Sequence, residues 1–315
     1  MPAPTRVGLL LRKTLRNLRG VTTFAACTVN TVFWFVPIVL FGIFKFLIPV
    51  PGFRRVLTEW IMTAGECWVE GNAAIFGMKN TDLLDVCGLE GLSRKNWYLV
   101  ISNHQTWLDI IVLQVVMNRR IPFLKFFIKQ QLIWFPFLGL AWWAMDMPFM
   151  KRYSKSYLAK YPEKRGLDFE ATRAACSKFR STPTTVFNFV EGTRFTPEKK
   201  IRRNSQFNNL LPPRAGGIAL ALTSMGSMFN TVLDVTLVYP GGAAQFWAMC
   251  CGEFDGVIVE ISKRPIDKWM IDGDYEIDRE YRSRFHKWLT QIWQEKDARI
   301  DELRSEQRVQ KTGFP

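Results

Sequence analysis

One stretch of sequence decides the fold, and it reads YLVISNHQTWLD over residues 98–109. Its first five residues, Tyr98–Ser102, are apolar except for the closing serine, and the run stops at the polar Asn103. Such a run is typical of a buried strand that ends at the edge of a sheet. A helical pattern follows over Ile110–Asn118. A strand, a polar turn and a helix in this order predict an α/β domain whose polar groups gather where the strand ends.

The same alternation continues along the chain, where short apolar runs each stop at charged or turn residues. Further strands are predicted at Pro122–Phe127, Met147–Met150, Thr185–Val190, Val232–Val238 and Val257–Ile261. Further helices are predicted at Leu167–Arg180, Gly217–Met228 and Asp278–Ser305. We therefore expect a mixed or mostly parallel sheet flanked by helices, with the polar strand ends lining one cleft.

The turn after the first strand contains a candidate catalytic pair, His104 and Asp109. On one continuous helix these residues would lie about 140° apart and could not share a face. We expect His104 in the turn before the helix and Asp109 in its first turn, reaching back to orient the imidazole. Two structural alternatives stay open: Asp109 could complete a helix-capping box with Thr106, and His104 could be an ordinary hydrogen-bonded side chain.

Charge and aromatic content indicate the kind of partner. Lys and Arg number 42 against 28 Asp and Glu, a surplus of 14, which favours a negatively charged partner such as phospholipid or nucleic acid. The chain also has 12 Trp and 25 Phe, and these rings favour the boundary between lipid headgroups and acyl chains. The six cysteines have no Cys-x-x-Cys spacing, so we expect reduced thiols and no metal site.

The N-terminal region contains a candidate membrane anchor. The segment Val21–Phe44 has no charged residue, and as a helix it would exceed the roughly 30 Å thickness of a bilayer core. Basic residues lie on both sides of it, so the positive-inside rule gives no orientation, and a re-entrant or interfacial segment remains an alternative. A cleavable signal peptide is disfavoured by the length of the apolar run. An amphipathic helix follows, with Leu57, Ile61 and Trp68 on one face.

These patterns divide the chain into three predicted regions. Residues 1–80 form a basic arm and a membrane-associated anchor of two helices. Residues 81–275 form the α/β domain. Residues 276–315 form an amphipathic helix and a charged tail.

Two motifs resemble those of a known family. The first is Asn-His-x4-Asp at Asn103–Asp109, and the second is Glu-Gly-Thr-Arg at Glu191–Arg194. In this order, each after a predicted strand, they resemble the glycerolipid acyltransferases, and within them the 1-acylglycerol-3-phosphate (lysophosphatidic acid) O-acyltransferases, as a bacterial member. The resemblance runs from roughly Leu89 to Ile261. Departures such as Val190, where proline is common, concern substrate choice more than chemistry.

The resemblance implies an enzyme that transfers a fatty acyl group from acyl-CoA or acyl carrier protein to the sn-2 hydroxyl of 1-acyl-sn-glycerol-3-phosphate. The product would be phosphatidic acid for phospholipid biosynthesis. Lysocardiolipin and lysophosphatidylglycerol are alternative acceptors. A basic nucleic-acid-binding protein is the alternative of another class, but the sequence has no zinc-finger or helix-turn-helix pattern, so we expect no nucleic-acid partner. We expect an inner-membrane enzyme that faces the cytoplasm, while its oligomeric state stays open.

The reaction assigns expected roles to the motif residues. His104 would act as the base, Asp109 would stabilise its imidazolium, and backbone N–H groups after His104 would stabilise the oxyanion. Arg194 would bind the acceptor phosphate, and Glu191 would orient Arg194 or bind a glycerol hydroxyl. No cofactor and no metal is expected. The full set of expected substrate-binding residues is Asn103, Lys151, Arg152, Glu191, Gly192, Thr193 and Arg194.

Overall fold

A computed structural model describes residues 6–79, 81–150, 161, 179, 182–275 and 277–312. Six strands form one sheet in the order β1-β8-β7-β2-β6-β3, and two short strands, β4 and β5, form a separate ladder. The strands are β1 Leu84–Cys87, β2 Tyr98–Ser102, β3 Leu124–Phe126, β4 Ile128–Lys129, β5 Phe149–Met150, β6 Thr185–Phe189, β7 Thr231–Val238 and β8 Val257–Arg264.

Strand direction determines which strand ends meet. The central strand β2 is parallel to both of its neighbours, β6 and β7, and β3 is parallel to β6. These four strands therefore end at one edge, called here the carboxyl edge. The strand β8 is antiparallel to β7 and parallel to β1. The strands β8 and β1 therefore end at the opposite edge. The predicted mixed sheet is confirmed.

One predicted strand end does not join the carboxyl edge, and one predicted strand is shorter than expected. The end of β8 at Ser262–Arg264 lies at the opposite edge, because an apolar run indicates a strand but not its direction. The predicted strand Met147–Met150 is confined to Phe149–Met150, and it pairs with β4 in the small ladder. The prediction that all polar strand ends line one cleft is therefore wrong for β8, while the polar residues after β5, Lys151 and Arg152, lie outside the described residues.

Helices cover both faces of the sheet. They are α1 Arg6–Leu47, α2 Pro51–Ile75, α3 Leu108–Met117, α4 Leu138–Ala144, α5 Pro197–Arg202, α6 Gly216–Met225, α7 Phe246–Cys250, α8 Lys268–Ile271 and α9 Arg279–Thr312. Three predicted helices correspond to α3, α6 and α9. The fourth, Leu167–Arg180, lies almost wholly outside the described residues.

Alternate residues of β2 enter the two layers of the core. Leu99 and Ile101 lie in the hydrophobic cluster that includes residues of α6 and α9. Tyr98 and Val100 lie in the cluster that includes residues of α3. All five residues of β2 are buried. Burial on both faces explains why this strand is an unbroken apolar run, and it holds the turn after β2 in a fixed position.

The two N-terminal helices pack against each other and against the α/β layers. Asn30 of α1 donates a hydrogen bond to Asn72 of α2 at 3.0 Å. The first half of α1 reaches the carboxyl edge, where Arg16 pairs with Glu253 at 2.9 Å. The opposite face of α1 is exposed and apolar, with residues such as Phe33. In the described part of the chain, α1 is the one helix long and apolar enough to cross a membrane by length and composition.

Candidate active site

His104 lies in the turn between β2 and α3, and Asp109 lies in the first turn of α3. His104 Nδ1 is 2.8 Å from Asp109 Oδ2. The imidazole stacks on the ring of Phe189, with centroids 3.8 Å apart and an interplanar angle of 14°. No described residue is hydrogen-bonded to His104 Nε2. Asp109 and Phe189 therefore fix the orientation of the ring, and Nε2 is left available to contact a substrate.

Asp109 is fully buried and accepts hydrogen bonds at both oxygens. Besides His104, Oδ2 accepts from the backbone N–H of Gln105 at 2.6 Å and of Thr106 at 3.0 Å. Oδ1 accepts from the hydroxyl of Tyr239 at 2.6 Å. Asp109 thus orders the start of the helix and orients the histidine at the same time, so the two interpretations of this residue are compatible.

Tyr239 follows β7, the strand beside β2, and bonds to Asp109 just after the turn of residues 103–107, called here the catalytic turn because it contains the candidate base His104. Burial, followed by the nearby charge of Asp109, raises its pKa well above the ordinary value. The phenol therefore stays protonated and acts as a donor to Asp109. In the sequence this residue is only the one that follows the predicted strand Val232–Val238. Its role depends on β7 lying beside β2, which local pattern does not reveal.

Asn103 does not face a substrate, contrary to the expectation from the motif. Its side-chain amide donates to the carbonyl of Leu237 at 2.9 Å, and its side-chain oxygen accepts from the N–H of Leu237 at 2.9 Å. The side chain is buried with 0% exposure. Asn103 therefore joins the end of β2 to the end of β7, which brings Tyr239 to Asp109.

Glu191 is also turned inward, so it does not orient Arg194. Its two carboxylate oxygens accept from the backbone N–H of His104 and of Leu211, each at 2.9 Å. Burial raises the pKa of Glu191 to about 7, although these two hydrogen bonds oppose the shift. Glu191 thus connects the two motifs through the backbone. The predicted contact with a glycerol hydroxyl is not available to a side chain with 0% exposure.

The rest of the second motif forms the turn after β6. Gly192 has a φ of 67°, a conformation that favours glycine. The guanidinium of Arg194 stacks over the exposed ring of Trp107, 4.8 Å from its centroid. Lys199 donates to the hydroxyl of Thr193 at 3.0 Å and to the carbonyl of Arg194 at 2.9 Å. Because Trp107 belongs to the turn of His104, Arg194 is held beside the His104–Asp109 pair.

Two expected residues, Lys151 and Arg152, lie outside the described residues. Phe189 was not among the expected site residues, although it lies next to the last residue of the predicted strand Thr185–Val190 and could have been found from that position. Trp107, which lies within the first motif, was not among them either. Within the described ranges, no group of three or more His, Cys, Asp or Glu side chains could hold a metal ion.

The fold and the site are those of a mixed α/β protein with a buried histidine–carboxylate pair at the carboxyl edge of its sheet. Residues 84–240 match the family model Acyltransferase. The match includes both motifs, and it supports the glycerolipid acyltransferase family.

Two similar proteins carry related names. The chain is 29% identical over 157 residues to 1-acyl-sn-glycerol-3-phosphate acyltransferase 3 of Arabidopsis thaliana, across 45% of this chain and 38% of that protein. The match thus spans well under half of the length of this relative. The crystal structure of the 1-acyl-sn-glycerophosphate (LPA) acyltransferase PlsC from Thermotoga maritima aligns with a TM-score of 0.48 and 16% identity, across 89% of this chain and 97% of that chain.

Proposed function

We propose that this protein transfers a fatty acyl group from acyl-CoA or acyl carrier protein to the sn-2 hydroxyl of 1-acyl-sn-glycerol-3-phosphate, giving phosphatidic acid. The observation that carries the proposal is the 2.8 Å contact between His104 Nδ1 and Asp109 Oδ2. A lipid hydroxyl is a poor nucleophile at neutral pH, and an oriented imidazole is the side chain best suited to take its proton. The name of the Arabidopsis relative supports lysophosphatidic acid as the acceptor.

In the proposed mechanism the transfer is direct. His104 Nε2 takes the proton of the lipid hydroxyl while the hydroxyl oxygen attacks the thioester carbonyl carbon, and Asp109 stabilises the imidazolium. When the tetrahedral intermediate collapses, the carbon–sulfur bond breaks and the imidazolium returns the proton to the leaving sulfur. The products are an ester and a free thiol, and no acyl-enzyme forms.

The donors expected for the oxyanion need a correction. The N–H groups of Gln105 and Thr106 point to Asp109 Oδ2, so they are not free to bind an oxyanion. These two N–H groups instead hold the carboxylate that orients His104. Oxyanion stabilisation would therefore come from other donors near the His104 ring, which still include the remaining N–H groups after His104.

The position of Arg194 supports an acceptor that carries a phosphate, because this side chain would bind it. Its planar guanidinium can bind two phosphate oxygens at once, and its stacking on Trp107 keeps it beside the catalytic turn. Trp107 itself is 59% exposed, so the pair is open to an incoming lipid headgroup. Lys151 and Arg152 remain proposed contributors of further positive charge.

A location at the bacterial inner membrane, with the active site facing the cytoplasm, completes the proposal. The exposed apolar face of α1 suits lipid, and a lysophospholipid acceptor resides in the membrane. The described cysteines Cys27, Cys67, Cys87, Cys250 and Cys251 are free thiols, which suits the reducing cytoplasm. Acyl thioesters are made in the same compartment.

The experiment that tests this function is an acceptor and donor matrix. Purified protein in detergent would be supplied with lysophosphatidic acid, lysophosphatidylglycerol or lysocardiolipin, each with acyl-CoA and with acyl carrier protein. We expect the highest kcat/KM with lysophosphatidic acid, and none in a His104→Ala variant. Preference for another lysolipid would reassign the acceptor. Transfer to none of them would refute the function.

A further inference from the structure

Two arginines lie on the outer side of the turn that follows β6. Arg203, just after α5, donates from Nη1 to the backbone carbonyl of Glu191 at 3.0 Å. Arg214 lies against the next residue of the turn, because a Cβ placed on Gly192 would be 3.0 Å from Arg214 Cδ. The absence of a side chain at Gly192 therefore leaves room for the Arg214 side chain beside Arg203.

Positive charge gathers there without an acidic partner. Neither Arg203 nor Arg214 forms an ion pair among the described residues. Glu191, whose charge acts on Arg203, is turned inward and bound to two backbone N–H groups. Burial, followed by the charges of Arg214 and Arg202, lowers the pKa of Arg203, as expected where cations crowd each other. Such crowding is unfavourable unless an anion occupies the site.

This pair is distinct from Arg194. The guanidinium of Arg194 stacks on Trp107, which belongs to the catalytic turn. Arg203 and Arg214 instead approach the turn at Glu191 and Gly192. Two separate groups of cations thus flank one turn, and the proposed reaction has two substrates that both carry phosphate.

We propose that Arg203 and Arg214 form a second phosphate-binding site, which holds the phosphate groups of the acyl carrier; this rests on the proposed function. Coenzyme A carries a diphosphate and a 3′-phosphate, and acyl carrier protein carries a phosphopantetheine phosphate. Two neighbouring guanidiniums match such groups, because each can bind phosphate oxygens in a bidentate manner. Arg194 then remains for the acceptor phosphate.

The first experiment separates the two sources of phosphate. Arg214→Gln is the primary variant, because Arg214 is exposed and its structural contact, from its backbone N–H to the carbonyl of Val190 at 2.8 Å, does not involve the side chain. Each enzyme is assayed with acyl-CoA and with an acyl-pantetheine thioester, which lacks phosphate. We expect a rise of about 10-fold in KM for acyl-CoA, and no change for acyl-pantetheine or for the acceptor.

The other outcomes overturn the assignment. If KM rises for the lysophospholipid with both donors, the site binds the lipid phosphate and not the carrier. If KM rises equally for acyl-CoA and acyl-pantetheine, the site does not bind phosphate. The matched control is Arg279→Gln, which removes the same charge from the start of α9. The residues of α9 that bond to the loop after α5, among them Asp297 and Asp301, lie much further along that helix.

A second experiment does not depend on activity. Pyrophosphate and adenosine 3′,5′-bisphosphate are titrated calorimetrically into wild type, Arg214→Gln and Arg279→Gln at one low ionic strength. We expect about 10-fold weaker binding in Arg214→Gln alone. Equal binding by all three proteins would overturn the site. A wild type that binds pyrophosphate through Arg214 but transfers no acyl group would refute the proposed function and retain the phosphate site.

Discussion

Asp109 and Glu191 are both buried carboxylates at the carboxyl edge, yet their partners differ. Asp109 accepts from the imidazole of His104 and from the hydroxyl of Tyr239, in addition to backbone N–H groups. Both oxygens of Glu191 accept from backbone N–H groups, those of His104 and Leu211. One carboxylate therefore acts on the side chain that would move the proton, and the other holds the loop around it. Nearness to His104 alone does not assign a carboxylate to proton transfer.

This difference predicts that substitutions of the two carboxylates affect different properties of the enzyme. Loss of Asp109 should impair activity, while alteration of Glu191 should chiefly change stability and its dependence on pH. His104 provides the upper limit of the effect on activity, since both carboxylates contact it. Tyr239 provides the lower limit, since among these residues its side chain is hydrogen-bonded only to Asp109.

His104→Ala should cause the largest loss. The variant lacks the base but keeps the backbone N–H that Glu191 binds, so we expect it to fold and to remain membrane-bound. Its kcat for acyl transfer should fall by about 10³-fold or more. The measurement is steady-state turnover with donor and acceptor both saturating, with circular dichroism as the control for folding. Normal turnover in a folded variant would remove His104 from the mechanism.

Asp109→Asn should cause the next largest loss. Asparagine can cap the helix almost as well as aspartate, so the start of α3 should be retained. An amide holds the ring but does not stabilise its positive charge, so kcat should fall by about 10²- to 10³-fold. We would measure kcat together with the unfolding midpoint. If activity survives while the helix is intact, Asp109 serves only as a cap.

Glu191→Gln should change stability more than activity. The folded-state pKa of Glu191 is about 7, above the ordinary value of 4.5, so the folded protein holds this proton more tightly than the unfolded chain does. The resulting stabilisation is complete below pH 4.5 and is lost as pH rises through 7. Wild type should therefore lose about 3 kcal/mol of unfolding free energy across this window through Glu191 alone.

Glutamine does not titrate, so the variant should lack this loss. Denaturant unfolding in detergent at several pH values, compared between wild type and Glu191→Gln, isolates the contribution of this residue. The free energy of unfolding of the variant should increase relative to that of wild type as pH rises. Its kcat should stay within about 10-fold of wild type. Parallel curves for the two proteins would mean that Glu191 is ionised throughout. A loss of kcat as large as that of Asp109→Asn would remove the distinction between the two carboxylates.

Arg194→Lys tests the outward-facing part of the second motif. Lysine keeps the charge but loses the planar fork and its stacking on Trp107. We expect KM for the lysophospholipid to rise about 10-fold, with KM for the donor nearly unchanged. Steady-state titration of each substrate at saturation of the other decides the matter. A rise confined to the donor would assign Arg194 to the carrier.

The sequence predicted strand β2 with its observed limits, because this strand is buried on both faces and ends at a polar residue. It missed β1, whose residues Leu84–Cys87 include an aspartate and are only partly buried. It also could not give the direction of β8. For the site, motif spacing indicated which residues lie at strand ends. It could not show that Asn103 and Glu191 turn inward, because side-chain direction depends on the neighbouring strand and loop.

Tyr239→Phe should produce the smallest effect on activity. It also tests most directly whether the hydrogen bonds of Asp109 affect His104. The change removes the 2.6 Å hydrogen bond to Asp109 Oδ1 and leaves the packing of the ring. Without this donor, the negative charge of Asp109 is less shared and attracts the imidazolium more strongly. We expect the acidic limb of the kcat–pH profile to move to higher pH, with kcat on the plateau within about 5-fold of wild type.

The shift of this limb distinguishes a positioning role from a merely structural one. A structural defect at Tyr239 would lower kcat by the same factor at every pH and leave the limb in place. The direction also matters, because a limb that moved to lower pH would mean that Asp109 had withdrawn from His104 when its second oxygen was released. Asp109→Asn combined with Tyr239→Phe completes the cycle. If Tyr239 acts only through Asp109, the second change should have no further effect on the pH profile once the carboxylate is absent.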